Sequence, residues 1–146
     1  MPDYYSRTKH LDYITTAIER MARNSFMCKA WAITLTVAIL AFNVKNNISE
    51  YAPVVAIIAL LSLWWLDAFY LRLERLFRKL YEDVRKNDFS NDQYTMNIAP
   101  YKDKVPSAVG IMFTGSELPL YIPTLLAAMA VSWPVITCIW TNTFCK

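Results

Sequence analysis

PVVAIIALLSLWWLDAFYLRLERLFRKLYEDVRK, residues Pro53 to Lys86, decides the architecture of this chain. From Pro53 to Leu66 every residue except Ser62 is apolar; Asp67 then interrupts, AFYL follows, and a charged run begins at Arg72. No glycine or proline breaks the stretch, and Leu73, Leu76, Phe77, Leu80, Tyr81 and Val84 continue an apolar stripe at helical spacing. The spacing predicts one helix from about Val54 to Lys86, roughly 50 Å long at 1.5 Å per residue, longer than the roughly 30 Å hydrocarbon layer of a bilayer. Its second half therefore projects into water, with Arg72, Glu74, Arg75, Arg78, Lys79, Glu82, Asp83, Arg85 and Lys86 on its polar side. The stripe needs a partner: an N-terminal helix, the same helix of a neighbouring subunit, or both. Leu73, Leu76, Phe77, Leu80 and Val84 are the expected oligomer interface.

On the N-terminal side, FMCKAWAITLTVAILAFNV (26–44) carries one charge, Lys29, near its start and, at about 28 Å as a helix, is long enough to span. Before it, Leu11, Ile14, Ala17, Ile18, Met21 and Ala22 recur at three- and four-residue spacing, an amphipathic helix over Arg7 to Asn24. The polar segment 45–52 closes a hairpin, and Pro53 suits a first helical position. On the C-terminal side, 87–104 is polar and aperiodic, and SAVGIMF (107–113) is too short to span, so it covers the stripe or enters the interface. LPLYIPTLLAAMAVSWPVITCIW (118–140) is a third span, with Pro134 expected to kink it.

The fold expected is an all-α integral membrane protein: a cytoplasmic amphipathic helix (1–25), first span (26–44), external loop (45–52), second span (53–71), cytoplasmic helical extension and loop (72–117), third span (118–140) and external tail (141–146). Composition agrees: 55% of the 146 residues are hydrophobic and 18% charged, below the roughly 25% of soluble domains. Thirteen of the fifteen Lys and Arg residues fall in 1–29 and 67–117, which the positive-inside rule assigns to the cytoplasm, with the C-terminus outside. Trp31, Trp64, Trp65, Phe69, Tyr70 and Tyr121 form the expected inner aromatic belt, Tyr51 and Trp140 the outer one.

Three cysteines without C-x-x-C spacing and one histidine supply neither a zinc framework nor a Ser-His-Asp triad, so no enzyme, cofactor or metal site is expected. Lys29 and Asp67 each lie about one turn inside the inner boundary of adjacent antiparallel spans. Charges in lipid are costly enough to favour pairing, as a structural ion pair or as a pore mouth. Thr34, Thr36, Ser62, Ser132 and Thr137 either pack helices or line a channel. Arg20, Arg23, Arg72, Arg75, Arg78 and Lys79 suit an anionic ligand or anionic lipid. Glu74, Glu82 and Asp83 interrupt that face and weigh against nucleic acid. Cys138 and Cys145 would pair only on an oxidising side, and their role is left open.

The runs HLDYITTAIERMARNSFMCKAWAITLTVAIL, WLDAFYLRLERLFRKLYEDVR and FTGSELPLYIP resemble a group of small bacterial membrane proteins. Their architecture is similar to the SLATT-type and other two- to four-span effectors of antiphage defence. The resemblance covers most of the chain outside 87–104 and carries no catalytic motif. It implies a homo-oligomeric inner-membrane effector, a gated pore opened by a cytoplasmic partner or signal. Such a partner is a TIR-domain protein, a nucleotidyltransferase supplying a nucleotide messenger, or a retron or CRISPR component. No appended sensory domain is visible, so recognition falls to residues 73–117 or to another protein. The alternative is a non-conducting anchor that recruits a cytoplasmic enzyme through the Leu73 to Val84 stripe.

Overall fold

A computed structural model describes the backbone of residues 2–43, 52–86 and 94–144, and the side chains of 5–39, 41, 54–86, 94–130, 133 and 137. Every regular element among them is helical: α1 (Pro2–Asn43), α2 (Ala52–Lys86), a 3-10 turn (Ala99–Lys104), α3 (Ala108–Met112) and α4 (Leu118–Phe144). The expected hairpin tip and both C-terminal cysteines lie outside the described side chains.

The amphipathic segment and the first span, read as two units, form one helix of 42 residues. From Asp3 to Ala52 the sequence has no glycine or proline to end it. The second helix is the one the sequence predicts, running unbroken past Asp67 to Lys86. The third continues through Pro134 to Phe144. One helix, α2, is long and apolar enough to cross a membrane among the described residues.

Two apolar layers hold the helices together. In the first, Ile14 of α1, Ala68, Leu76 and Leu80 of α2, Tyr101 and Val105 of the connecting segment and Ile111 of α3 are buried against one another. In the second, Ala32, Leu60, Trp64, Tyr121 and Ala128 bring α1, α2 and α4 together. The small side chains Ala17, Cys28, Ala32, Ala56 and Ala68 on the buried faces allow close helix approach.

The first layer settles the partner of the stripe. Leu76 and Leu80 are covered inside the subunit by α1 and by 98–112, with Phe77 and Val84 packed at the edge of the same cluster. Leu73 is half-buried. Within the subunit the N-terminal helix covers this stripe, together with 98–105 and with the SAVGIMF segment that the sequence offers as its cover. Burying a Leu or Ile is worth about 1.5 to 3 kcal/mol, far more than ion pairs along one helix such as Arg78–Glu74 (2.8 Å) and Lys79–Glu82 (3.0 Å), so burial holds this layer.

Polar contacts finish the end of the layer. The Arg7 guanidinium donates to the carbonyls of Val84 (3.3 Å) and Arg85 (2.8 Å), satisfying the last turn of α2 with a cation where the helix dipole favours one. The buried ring of His10 meets Tyr94 edge-on at 5.6 Å; burial pushes its pKa down, with a backbone group of Thr95 opposing. The Tyr101 hydroxyl donates to Asp83 at 2.7 Å, and burial, helped by that carboxylate, pushes the phenol up to about 12.

An unfolded tyrosine ionises near pH 10. Between that value and about 12 the folded chain keeps a proton the unfolded chain has lost, so stability falls as pH rises through this window. Tyr101→Phe is expected to cost about 1 kcal/mol at pH 7 and to flatten the alkaline loss. Denaturation midpoints at pH 7, 9 and 11 measure both.

Candidate functional site: a buried ion cluster between three helices

Between the two layers, α1, α2 and α4 meet at a group of polar side chains. Asp67 of α2 is fully buried. The Lys29 ammonium lies 2.6 Å from its Oδ2, the Tyr121 hydroxyl donates to the same oxygen at 3.0 Å, and the Ser25 hydroxyl donates to Oδ1. Lys29 also donates to Ser25 Oγ at 3.1 Å, one turn earlier on α1. Both oxygens of Asp67 are thereby occupied, as a buried carboxylate requires.

The second carboxylate is Glu117, 1% exposed, whose Oε2 lies 3.2 Å from the same ammonium without hydrogen-bond geometry. A tight turn positions it. Thr114 O accepts from the backbone N–H of Glu117 (3.0 Å) and Leu118 (3.3 Å), and Glu117 O in turn accepts from Leu120 and Tyr121 at 3.2 Å each. Glu117 thus starts α4, and Tyr121 stands one turn further on the same face. The Tyr121 ring stacks on Trp64 (centroids 5.5 Å apart, planes 12° apart), and Phe113 meets Trp64 edge-on. Cys28, with a free thiol, is buried beside the cluster on α1.

The predicted Lys29–Asp67 pair is present, enlarged to a five-residue cluster by Ser25, Glu117 and Tyr121. The sequence held a signal for the additions: Ser25 and Lys29, and Glu117 and Tyr121, are each four residues apart, one helical turn. Glu117 escapes a search confined to 118–140, which lacks ionisable acids and bases. Tyr121 and Trp64, read as aromatic-belt residues facing headgroups, instead face inward and are 0% and 7% exposed. Trp31, Trp65 and Phe69 do face outward.

The other expected residues do not converge. Arg72 donates to the Pro106 carbonyl (3.2 Å), fixing the start of the α3 segment, while Arg78 and Lys79 pair with acids of their own helix. Arg20 and Arg23 are exposed on α1, and Arg75 is half-buried on α2. The hydroxyls of Thr34, Thr36, Ser62 and Thr137 bond to the carbonyl four residues back, so none requires a pore or a partner helix; Ser132 lies outside the described side chains.

Around the second layer the outward faces are apolar. They carry Phe26, Trp31, Ile33 and Val37 on α1, Val55, Ile58, Leu61 and Trp65 on α2, and Ile122, Leu126, Met129 and Trp133 on α4. Around the first layer they carry Lys9, Asp12, Glu19, Arg20, Arg78, Lys102 and Lys104. The ion cluster stands at the border of the two zones. No protein-family model, curated protein or solved structure matches the chain.

Proposed function

We propose that this chain is a multi-pass protein of the bacterial inner membrane that self-associates into a gated pore, an effector of antiphage defence switched on from the cytoplasm. The observation that carries this reading is the position of the ion cluster, where α1 and α2 pass from a polar-faced layer into an apolar-faced one and α4 begins. Exposed apolar surface on this scale is stable in lipid and against other subunits, and is a liability in water. Lys and Arg assign the polar-faced layer, with the N-terminus, to the cytoplasm.

Self-association follows from packing. Ala32, Leu60, Trp64 and Tyr121 fill the space between α1, α2 and α4, leaving no room for an aqueous path within one subunit. A conduit would have to form between subunits, along the outward faces. Because α1 and α2 each run through both layers as single helices, a push on the cytoplasmic layer would reach the spans without an intervening hinge. An anchor recruiting an enzyme through Leu73 to Val84 is less well supported, since Leu76 and Leu80 are spent inside the subunit. The resemblance to SLATT-type effectors supports the defence role and a sensor protein or nucleotide messenger as trigger.

The test is mass followed by conductance. Light scattering on the detergent-solubilised protein should give at least three copies of the 16.9 kDa chain, and planar bilayers should show discrete current steps. A monomer that stays silent in bilayers together with its cytoplasmic partner would sink the pore.

A further inference from the structure

We propose that Glu117, with Asp67 and Lys29, forms a proton-binding site whose occupancy decides whether the first turn of α4 stays docked between α1 and α2. Two carboxylates, both buried, share one ammonium at 2.6 and 3.2 Å. With both ionised the cluster carries a net negative charge in a nearly dry site, and an uncompensated buried charge is strongly unfavourable. One bound proton makes the cluster neutral.

Hydrogen bonding says which carboxylate takes it. Asp67 accepts from Ser25 and Tyr121 and pairs with the Lys29 ammonium, so both of its oxygens already have partners. Glu117 Oε2 accepts no hydrogen bond, and a proton on Glu117 turns an orphaned acceptor into a donor. The groups facing it are Lys29 and Cys28 from α1, Asp67 from α2 and Tyr121 from α4; α3 has no charged residue. Burial pushes the Glu117 carboxyl up, reinforced by the neighbouring Asp67 and opposed by Lys29.

The sign follows by linkage. Undocked, Glu117 is in water and loses its proton near the ordinary glutamate value, about 4.3. Docked, it holds the proton to higher pH. Docking is tightest in acid, weakens as pH rises from that ordinary value through the raised one, and stays weak above it. The proton leaves to cytoplasmic water, and nothing else is exchanged. A rise in cytoplasmic pH, or any contact that stabilises ionised Glu117, loosens the junction between α4 and the other two helices. The proposal rests on the membrane-boundary placement of the cluster, and its test involves no current, so it and the pore can fail separately.

Cys28 is a built-in reporter, because its buried thiol becomes reachable only when the junction opens. In a Cys138→Ser/Cys145→Ser background, maleimide labelling of Cys28 is measured in detergent at about pH 5.5 and 8.5, with and without Glu117→Gln. Taking the quotient of the two rates at each pH removes the thiol's own ionisation. The quotient should rise about tenfold across this range. A flat quotient overturns the proposal. Independently of any variant, pH-difference infrared spectroscopy of the unmodified protein should show a protonated carboxyl band lost on alkalinisation above neutral pH; a spectrum with only carboxylate bands throughout overturns it as well.

Discussion

Lys29→Met is expected to destabilise the folded chain by about 3 kcal/mol, measured as the shift in the detergent-solubilised unfolding curve. Lys29 is the one cation in contact with two buried carboxylates, at 2.6 Å from Asp67 and 3.2 Å from Glu117. Methionine keeps the length and apolar stem but leaves the buried Asp67 side chain with only Ser25 and Tyr121 as partners. Removing one member of a buried pair costs about 3 to 5 kcal/mol; the lower end applies because the ammonium end is 22% exposed and Glu117 can stay protonated. Adding Asp67→Asn should recover part of the loss, since it removes the stranded charge. A double variant no better than Lys29→Met would mean that the two residues do not interact.

Leu80→Glu is expected to be the more damaging change, at about 4 kcal/mol or more. Leu80 is 3% exposed in the layer formed with Ile14, Leu76, Tyr101 and Ile111. Replacing a buried leucine with alanine costs about 2 to 5 kcal/mol, and glutamate adds a carboxylate with no cation in that cluster to meet it. The N-terminal half of α1 and the segment 94–112 should separate from α2 while the second layer, which contains none of these residues, survives. Limited trypsin digestion reads this: cleavage at Lys102 and Lys104 should accelerate sharply while cleavage after Lys29, held in the ion cluster, stays slow. If the digestion pattern stays unchanged and only the oligomer mass falls, Leu80 is an intersubunit contact.

The helix over Val54 to Lys86 was legible because its apolar run and stripe share one period and nothing interrupts them. The Lys29–Asp67 pair was legible because two long apolar helices joined by a short segment run antiparallel and place the two charges at the same level. Glu117 was not, since it stands outside the apolar window that defines the third span. Only the turn at Thr114 carries it back beneath α2. The role of Tyr121 was misread for a related reason: a tyrosine at an inner boundary has the same sequence context whether it faces a headgroup or a buried aspartate, and the rotation of α4 decides between them. Likewise the stripe on α2 states that a partner exists without naming it. Ile14, Tyr101, Val105 and Ile111 occupy it together only because the chain after residue 94 folds back along α2.

The sequence by itself determined the helical class, the extent of α2, the division of α1 and α2 into apolar-faced and polar-faced stretches, and one ion pair. Periodicity and chain-breaking residues act locally and leave their marks within a few turns. Only the tertiary structure decided which face of α1 is buried between His10 and Thr36, that α2's stripe is covered within the subunit, and that two acids share one lysine. Those outcomes depend on which faces turn toward each other. Helix rotation and crossing are set by packing and by the cost of burying charge, summed over residues far apart in the chain.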